Sequence, residues 1–569
     1  MKNSRRFLTL AALLLVAVML FAIPAYACTG VYVGREVSES GNAIIARTRD
    51  SNRLETMTFR KVTPAENKAG RVYKEINGFE TPLPTQTYRY CSGPKMTGVG
   101  LGTFGASCVN EKGLAVTATV TAFVNEAAKA GDPYVETGIS EACIGDLVAQ
   151  CCATAPEAVD LIERLMAENG NAESNIIMVA DQQEAWYIET YTGHQWCAVR
   201  MPEDKMATFG NEFMLNLTEQ ELAGENVRHS EGLISCPREK GFAVLKEDGS
   251  FDLYETYSGT GIMRDYCNMR TWYGHQVFAP SRKEAYGTQT VYDLFFAPDA
   301  KVSLADVMEF TRSRYEGTEF CPDENGRNDM RVVGTETQYS CDVTEIHQEL
   351  PTELSAVMWA CLDSAEHSVY LPFSGILTET APSWAKDMKD LVFDDPASAA
   401  VSFRQLCALS VTGRQSYGKG VRAYWKTVEE HLMATYPQVL EKAAGLYAGD
   451  PEAAAKYLTD YSDSIQLAAK DDADHLRNEV LHYLALHQRT FDVQLDMQTG
   501  EMTPYEHPQF VSELEPTVAD RYDGEYTSAA PAQTESGSFN VLTVIFLVLS
   551  VLLAAALVIL LLAKKRKKD

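Results

Sequence analysis

The sequence has few basic residues for its length. Its 569 residues include 50 Lys and Arg against 78 Asp and Glu, so the formal net charge is −28 at pH 7. Both ends of the chain are basic, which makes the part between them more acidic still. Such a surface repels nucleic acid phosphates and anionic lipid headgroups. The composition therefore argues against a nucleic acid partner and against adsorption of the body to an anionic membrane.

Motifs for a metal or a nucleotide are missing or incomplete. There is no HExxH, and His482 and His487 are five residues apart, which is not the spacing that puts two ligands on one helical face. Residues 413–419 read G-x-x-x-x-G-K, but Gly420 replaces the Ser or Thr of a P-loop and the preceding segment looks helical. The sequence therefore predicts no cofactor and no metal.

The 13 cysteines show no tight, evenly spaced disulfide pattern. Cys151 and Cys152 are adjacent and are not easily bridged to each other. The pairing of the twelve cysteines other than Cys28 stays open at this point, and so does their redox state.

The N-terminus has the pattern of a secretory signal peptide over residues 1–27. Basic residues near the start are followed by a long apolar run over 7–23 and by Ala25-Tyr26-Ala27, an Ala-x-Ala cleavage site. Cleavage after Ala27 would leave Cys28 as the first residue. Chance placement of this cysteine and lipidation are the alternatives, and Ala25 and Tyr26 fit a lipidation motif poorly.

An N-terminal Cys28 would carry a thiol and a free α-amine on one residue. The α-amino group titrates at about 7.7–8.0, so it can act as the base for its own side chain. Export would therefore create an active site, with Cys28 as the candidate nucleophile.

The C-terminus has the pattern of a membrane anchor. Residues 541–563 are apolar and uncharged, which is enough to cross a bilayer as a helix, and five basic residues follow. A sortase-type anchor would need an LPxTG sequence, and none precedes the apolar run. Residues 513–538 have the composition of a stalk. The predicted topology has the body outside the cell, one span over 539–563 and a short basic tail, 564–569, inside.

The first segment of the body predicts a β-hairpin. Residues 28–34 alternate in polarity, 36–42 are rich in turn-forming residues, and 43–46 resume an apolar run. A hairpin turning near Glu39 sets Cys28 opposite the segment from Arg47 to Asp50. Charged and reactive residues then meet at one strand end.

Further along, apolar patterning predicts strands at 98–106, 113–124, 174–180, 185–191 and 196–200. A helix is predicted over 140–167, and long amphipathic helices over 396–487. Strands, a helical layer and strands again indicate a sheet-on-sheet sandwich flanked by helices.

Several segments, in order along the chain, resemble the secreted and intracellular dipeptidases (dipeptidase A/D-like). These are N-terminal-nucleophile (Ntn) cysteine hydrolases related to penicillin V acylase and to choloylglycine (bile-salt) hydrolase. The similar segments are CTGVYVGREVSESGNAIIARTRDS (28–51), EAWYIETYTGHQW (184–196), NMRTWYGHQVFAPS (268–281), DVMEFTRSRYEGTEF (306–320), AVMWACLDSAEHSVYLPFSG (356–375) and YLTDYSDS (457–464).

The resemblance implies an α+β fold, a four-layer αββα sandwich that the helical residues extend, and hydrolysis of dipeptides. It also implies roles for five residues. Cys28 matches the nucleophile, Arg47 the arginine beside the thiol, and Asp50 an aspartate that contacts the amine or the substrate. Asn211 matches an oxyanion-hole asparagine, and Arg270 is the candidate second arginine.

Structural roles remain open for some of these residues. Aspartate and asparagine are both common in turns, so Asp50 and Asn211 could simply be turn residues. Arg270 could stack on a neighbouring aromatic ring. Arg264 is nearly as good a candidate as Arg270 for the second arginine.

The expected domains are a catalytic domain at 28–395, a helical extension at 396–490 and a linker at 491–538, between the signal peptide and the span. The expected activity is that of a membrane-anchored cysteine dipeptidase with dipeptides as its partners. Homo-oligomerisation stays open. The alternatives are an N-acyl amide hydrolase of the penicillin V acylase type and an inactive surface binding protein.

Overall fold

The structure is a computed structural model that describes residues 28–50, 56–59, 62–98, 102–104, 107–119, 122–327, 329–386, 395–487, 493–504 and 508–527. Both the predicted signal peptide and the predicted membrane span lie outside these residues. Of the helices within the described ranges, none combines the length and the apolar character needed to cross a membrane.

The strands are numbered in chain order. They are β1 Gly30–Val33, β2 Ala43–Asp50, β3 Thr56–Phe59, β4 Val62–Thr63, β5 Glu66–Asn67, β6 Val72–Lys74, β7 Glu80–Pro82, β8 Gln86–Thr87, β9 Tyr90–Ser92, β10 Pro94–Gly98, β11 Gly102–Phe104, β12 Cys108–Asn110, β13 Ala115–Thr119, β14 Asn175–Ala180, β15 Ala185–Thr190, β16 Trp196–Arg200, β17 Met206–Phe209, β18 Val227–His229, β19 Phe295–Phe296, β20 Gln338–Ile346, β21 Ala356–Leu362, β22 Leu371–Ser374, β23 Val493–Leu495 and β24 Met502–Pro504.

The α-helices are numbered in the same way. They are α1 Glu126–Gly131, α2 Glu141–Cys151, α3 Ala155–Asn169, α4 Glu219–Leu222, α5 Gly232–Lys240, α6 Leu253–Tyr257, α7 Asp265–Phe278, α8 Leu304–Arg312, α9 Pro322–Asn325, α10 Ala399–Thr412, α11 Tyr417–Tyr447, α12 Pro451–His487 and α13 Val518–Arg521.

Two large antiparallel sheets form the centre of this mixed α/β fold. The first has seven strands in the order β19-β17-β1-β2-β20-β21-β22, and the second has eight in the order β18-β16-β15-β14-β13-β12-β9-β4. The predicted hairpin is present as β1 and β2, with Gly30 opposite Arg47. The predicted strands at 174–180, 185–191 and 196–200 are confirmed as β14, β15 and β16.

The two sheets pack face to face. β2 contacts β13, and β12 contacts β21. Successive side chains of a strand point to opposite faces, and β14 shows this directly. Ile176 and Met178 join the core between the sheets, whereas Ile177 and Val179 pack with α2 and α3. Helices cover the outer faces as well, since α7 contacts β17 and α8 contacts β20.

The single helix predicted over 140–167 is wrong in one respect, because the segment forms two helices. α2 ends at Cys151, and α3 begins at Ala155 after an N-cap at Thr154, whose side chain accepts from the Glu157 backbone N–H. Pro156 occupies the first turn of α3. A proline is tolerated there because a backbone N–H at this position would have no partner within the helix, and proline has none to donate.

The long helices predicted over 396–487 are present as α10, α11 and α12. After α12, residues 508–526 pack back onto these helices, with Tyr522 buried and its hydroxyl donating to Asp472 Oδ2 at 2.8 Å. The chain divides into one unit that ends at Tyr526 and a second, Thr527–Asp569, of which only Thr527 is described. The predicted boundaries at 395 and 490 stay predictions.

Candidate active site

Cys28 lies two residues before the first residue of β1 and is buried, with about 1% of its surface exposed. Its neighbours in the sheet follow from the register of three strands. β2 brings Arg47 opposite Gly30 on one side, and β17 brings Phe209 opposite Gly30 on the other. The end of β1 is therefore enclosed by the end of β2 and by the residues that follow β17.

Each polar group of Cys28 has a partner from a different element. Its backbone N–H donates to Asn211 Oδ1 at 2.7 Å. Its carbonyl oxygen accepts from Arg270 Nη1 at 2.5 Å. Its Sγ lies 3.5 Å from Arg47 Nη2. The structure thus brings four of the five predicted residues together around one cysteine.

Arg270, on α7, donates hydrogen bonds to several groups of the site. Besides the Cys28 carbonyl, its guanidinium donates to Asn211 Oδ1 at 3.0 Å and to Thr29 Oγ1 at 3.1 Å, and its Nε donates to the Tyr266 carbonyl at 2.9 Å. α7 approaches β17 closely because residue 274 is glycine, whose missing Cβ would lie 2.0 Å from Thr208 Oγ1. A larger residue there would push α7 and its arginine away from the sheet.

Arg264 lies elsewhere. Its guanidinium stacks over the Phe123 ring at 3.6 Å, and its Nη1 donates to the Tyr266 hydroxyl at 3.3 Å on the exposed side of the helix start. Of the two arginines that the sequence left as alternatives, Arg270 is the one in contact with Cys28.

Asp50, the fifth predicted residue, lies at the end of β2 after an irregularity in its pairing with β20. Its Oδ2 accepts from Arg331 Nη2 at 3.4 Å, and its Oδ1 is buried without a hydrogen-bond partner among the described residues. Burial raises the pKa of Asp50 to about 6, although the nearby guanidinium groups act in the opposite direction. Asp50 is thus held by Arg331, a residue that the sequence did not single out.

Glu141, the first residue of α2, is another residue that the sequence did not indicate. Its Oε1 forms an ion pair with Arg47 Nη2, the same nitrogen that contacts Cys28 Sγ, and its side chain is about 1% exposed. Burial raises the pKa of Glu141, opposed by the attraction of Arg47. Glu141 is separated from Arg47 by 94 residues, and nothing in its local sequence links the two.

A cavity of about 860 Å³ lies at the other end of β2, between the sheet and α11. Asn42, His347, Trp359 and Leu440 are among its lining residues, and none of the five predicted site residues lines it. The five predicted site residues therefore lie toward the Cys28 end of the strands and not at this cavity.

The chain is similar in sequence to several proteins named as probable dipeptidases. The chain is 28% identical to the probable dipeptidase B of Streptococcus pyogenes serotype M1 over 449 residues, which cover 75% of this chain and 87% of that protein. It is 27% identical to the probable dipeptidase B of Lactococcus lactis subsp. lactis over 372 residues, covering 63% and 76%. It is 28% identical to the probable dipeptidase of Salmonella dublin over 352 residues, covering 61% and 80%.

The family comparison covers most of the body. The sequence model of peptidase family C69 matches residues 27–426, so the match begins one residue before Cys28 and includes both sheets, α7 and α10. The chain therefore belongs to peptidase family C69.

Proposed function

We propose that this chain is an exported cysteine dipeptidase that uses Cys28 as its N-terminal nucleophile. The observation that carries the proposal is the set of three contacts that hold Cys28 by its nitrogen, its carbonyl oxygen and its sulfur. A residue fixed at all three groups is positioned for covalent chemistry, and it directly follows an Ala-x-Ala sequence. The names of the relatives supply the substrate class.

In the proposed reaction, Cys28 Sγ attacks the carbonyl carbon of the dipeptide while the α-amine of the same residue takes the thiol proton. The tetrahedral intermediate collapses when the peptide C–N bond breaks and the ammonium group returns that proton to the leaving amine. Water, deprotonated by the α-amine, then attacks the thioester, and the C–S bond breaks to restore the thiol. A donor from Asn211 would stabilise the oxyanion in both steps.

The same proposal includes the architecture and the location of the protein. Two packed sheets with helices on their outer faces support an αββα sandwich of the N-terminal-nucleophile type. Removal of residues 1–27 would expose the amine, and an apolar span over 539–563 would hold the catalytic body outside the cell membrane.

The test is to purify the exported protein, determine its N-terminus by intact mass and sequencing, and measure hydrolysis of dipeptides by the natural chain and by Cys28→Ala. We expect Cys28 to be the first residue, dipeptides to be cleaved, and Cys28→Ala to be inactive although folded. A different N-terminus, or a lipid mass on Cys28, would remove the proposed base.

Two other outcomes would replace the proposal. Cleavage of N-acyl amides but not of free dipeptides would indicate an acylase. If no thioester can be trapped on the natural chain and Cys28→Ser keeps the full function of the natural chain, the protein would be a binding protein.

A further inference from the structure

Three residues of the candidate active site, Arg47, Glu141 and Asp50, together have four buried polar atoms without a hydrogen-bond partner among the described residues. These atoms are two donors, Arg47 Nε and Nη1, and two acceptors, Glu141 Oε2 and Asp50 Oδ1. Buried polar groups in folded proteins are nearly always paired, so such a cluster calls for an explanation. Donors and acceptors together match a ligand that carries both a positive and a negative group.

We infer that Glu141 is a substrate-binding residue that receives the α-ammonium group of the dipeptide. This inference rests on the proposed function and names a contact that selects for a free amino terminus. A carboxylate with one oxygen on a guanidinium and the other unpaired can accept a charge-assisted hydrogen bond from an ammonium group without losing its existing ion pair.

The position of Glu141 relative to the thiol supports this assignment. Arg47 Nη2 contacts both Cys28 Sγ and Glu141 Oε1, so only one nitrogen separates the carboxylate from the nucleophile. In a dipeptide the ammonium nitrogen is two bonds from the carbonyl carbon that the sulfur attacks. The residue that binds the ammonium group must therefore lie beside the nucleophile, as Glu141 does.

Asp50 is another acidic residue near the site, and it fits the role less well. Its carboxylate is paired with Arg331, and burial raises its pKa to about 6, as burial also raises the pKa of Glu141. Asp50 Oδ2 pairs with Arg331, whereas Glu141 pairs with Arg47 Nη2, the nitrogen that also contacts the thiol.

The experiment compares Glu141→Gln with Glu173→Gln. Glu173 is a neighbouring half-buried carboxylate that accepts a hydrogen bond from the Glu141 backbone N–H at 2.8 Å and makes no ion pair with Arg47, so it is the matched control. Each protein is assayed with Ala-Ala and with the analogue in which a hydroxyl replaces the ammonium group. Alkylation by iodoacetamide, which carries no ammonium group, is followed at Cys28 itself by mass spectrometry of the N-terminal peptide, because Cys151 and Cys236 are also partly exposed thiols. It reports whether the nucleophile is intact.

We expect Glu141→Gln to lower kcat/KM for Ala-Ala about 10- to 100-fold, mainly through KM, because a hydrogen bond to a charged group is lost. Alkylation should stay within about threefold of the natural protein, and Glu173→Gln should match the natural protein in both assays. The loss caused by Glu141→Gln should largely disappear with the hydroxyl analogue, since the two changes remove the same contact.

Equal losses for Ala-Ala and the analogue would overturn the inference, because Glu141 would then act on the reaction without contacting the ammonium group. A parallel loss of alkylation would also overturn it, since Glu141 would then only hold Arg47. Both results leave the proposed function intact as long as the natural protein cleaves Ala-Ala and Cys28→Ala does not. If the natural protein cleaves no dipeptide, the proposed function itself fails.

Discussion

The substitution Arg270→Lys tests the arrangement around Cys28 most directly. It keeps the positive charge at a buried position and removes only the planar fork of donors. A lysine has one nitrogen, a compact donor that does not reproduce the fixed geometry of a guanidinium. The variant therefore separates the effect of charge from the effect of geometry.

The structure sets the size of the expected effect. Arg270 donates to the carbonyl of Cys28, to Asn211 Oδ1 and to the carbonyl of Tyr266 with three different nitrogens. An ammonium group has three N–H donors on a single nitrogen, which cannot occupy the positions of three guanidinium nitrogens. At least one charge-assisted hydrogen bond is therefore lost and the others are distorted, and each is worth about 1.5–3 kcal/mol. Allowing for relaxation, we expect a decrease of about 2–4 kcal/mol in the free energy of unfolding and a decrease of about 100-fold or more in kcat/KM.

The assay is guanidinium chloride unfolding followed by tryptophan fluorescence, together with kcat/KM for a dipeptide. Arg264→Lys is the matched control, because it makes the same change six residues away at a position that stacks on Phe123 and does not contact Cys28. It should change the free energy of unfolding by less than about 0.5 kcal/mol. If Arg270→Lys behaves like Arg264→Lys, or if Arg264→Lys is the more damaging change, our account of the site is wrong.

Three further predictions concern single residues. Burial raises the pKa of Asp50 to about 6 in the folded state, so its contribution to stability is present at low pH and is lost as the pH rises from about 4 to about 6. Asp50→Asn removes this titration, so at pH 7.5 it should unfold at the same or a higher denaturant concentration, and its free energy of unfolding should vary less over that pH range. It should also lose activity, because Asp50 is one of the five predicted site residues. Tyr522→Phe removes a donor to Asp472 and should lower the free energy of unfolding by about 1.5–3 kcal/mol while kcat/KM stays within about twofold. Gly30→Ala would place a Cβ 2.2 Å from an aromatic ring on β17, so it should cost about 1–3 kcal/mol and reduce activity, whereas Gly261→Ala, with no atom within 4 Å, should do neither.

The parts of the fold that the sequence predicted well are those with local signals. The hairpin of β1 and β2 follows from an alternating strand, a polar turn and a second apolar run, all within residues 28–50. This short segment already places Cys28 near Arg47, because the register of a hairpin is set by its turn. The break between α2 and α3 had a local signal too, in Thr154 and Pro156, and a helix prediction that used it would have separated the two helices.

The rest of the site depends on contacts between distant parts of the chain. Asn211 and Cys28 are 183 residues apart, and Arg270 and Cys28 are 242 residues apart. No periodicity links such residues, so only the family resemblance pointed to Asn211 and Arg270. Glu141 and Arg331 had neither kind of signal. Their roles become visible only in the fold, which brings Glu141 on α2 to Arg47, and Arg331 in the loop before β20 to Asp50.

The orientation of the Asn211 amide indicates what an arginine contributes at position 270. The amide oxygen accepts from both the Cys28 nitrogen and Arg270 Nη2. A guanidinium can only donate, so a reversed amide would place two donors against each other at a buried position. Arg270 therefore fixes the side of Asn211 that faces the Cys28 nitrogen, and the amide NH2 must point the other way, as an oxyanion donor would require. A lysine would supply the charge but, with one nitrogen shared between the Cys28 carbonyl and Asn211, would not hold the amide in this orientation.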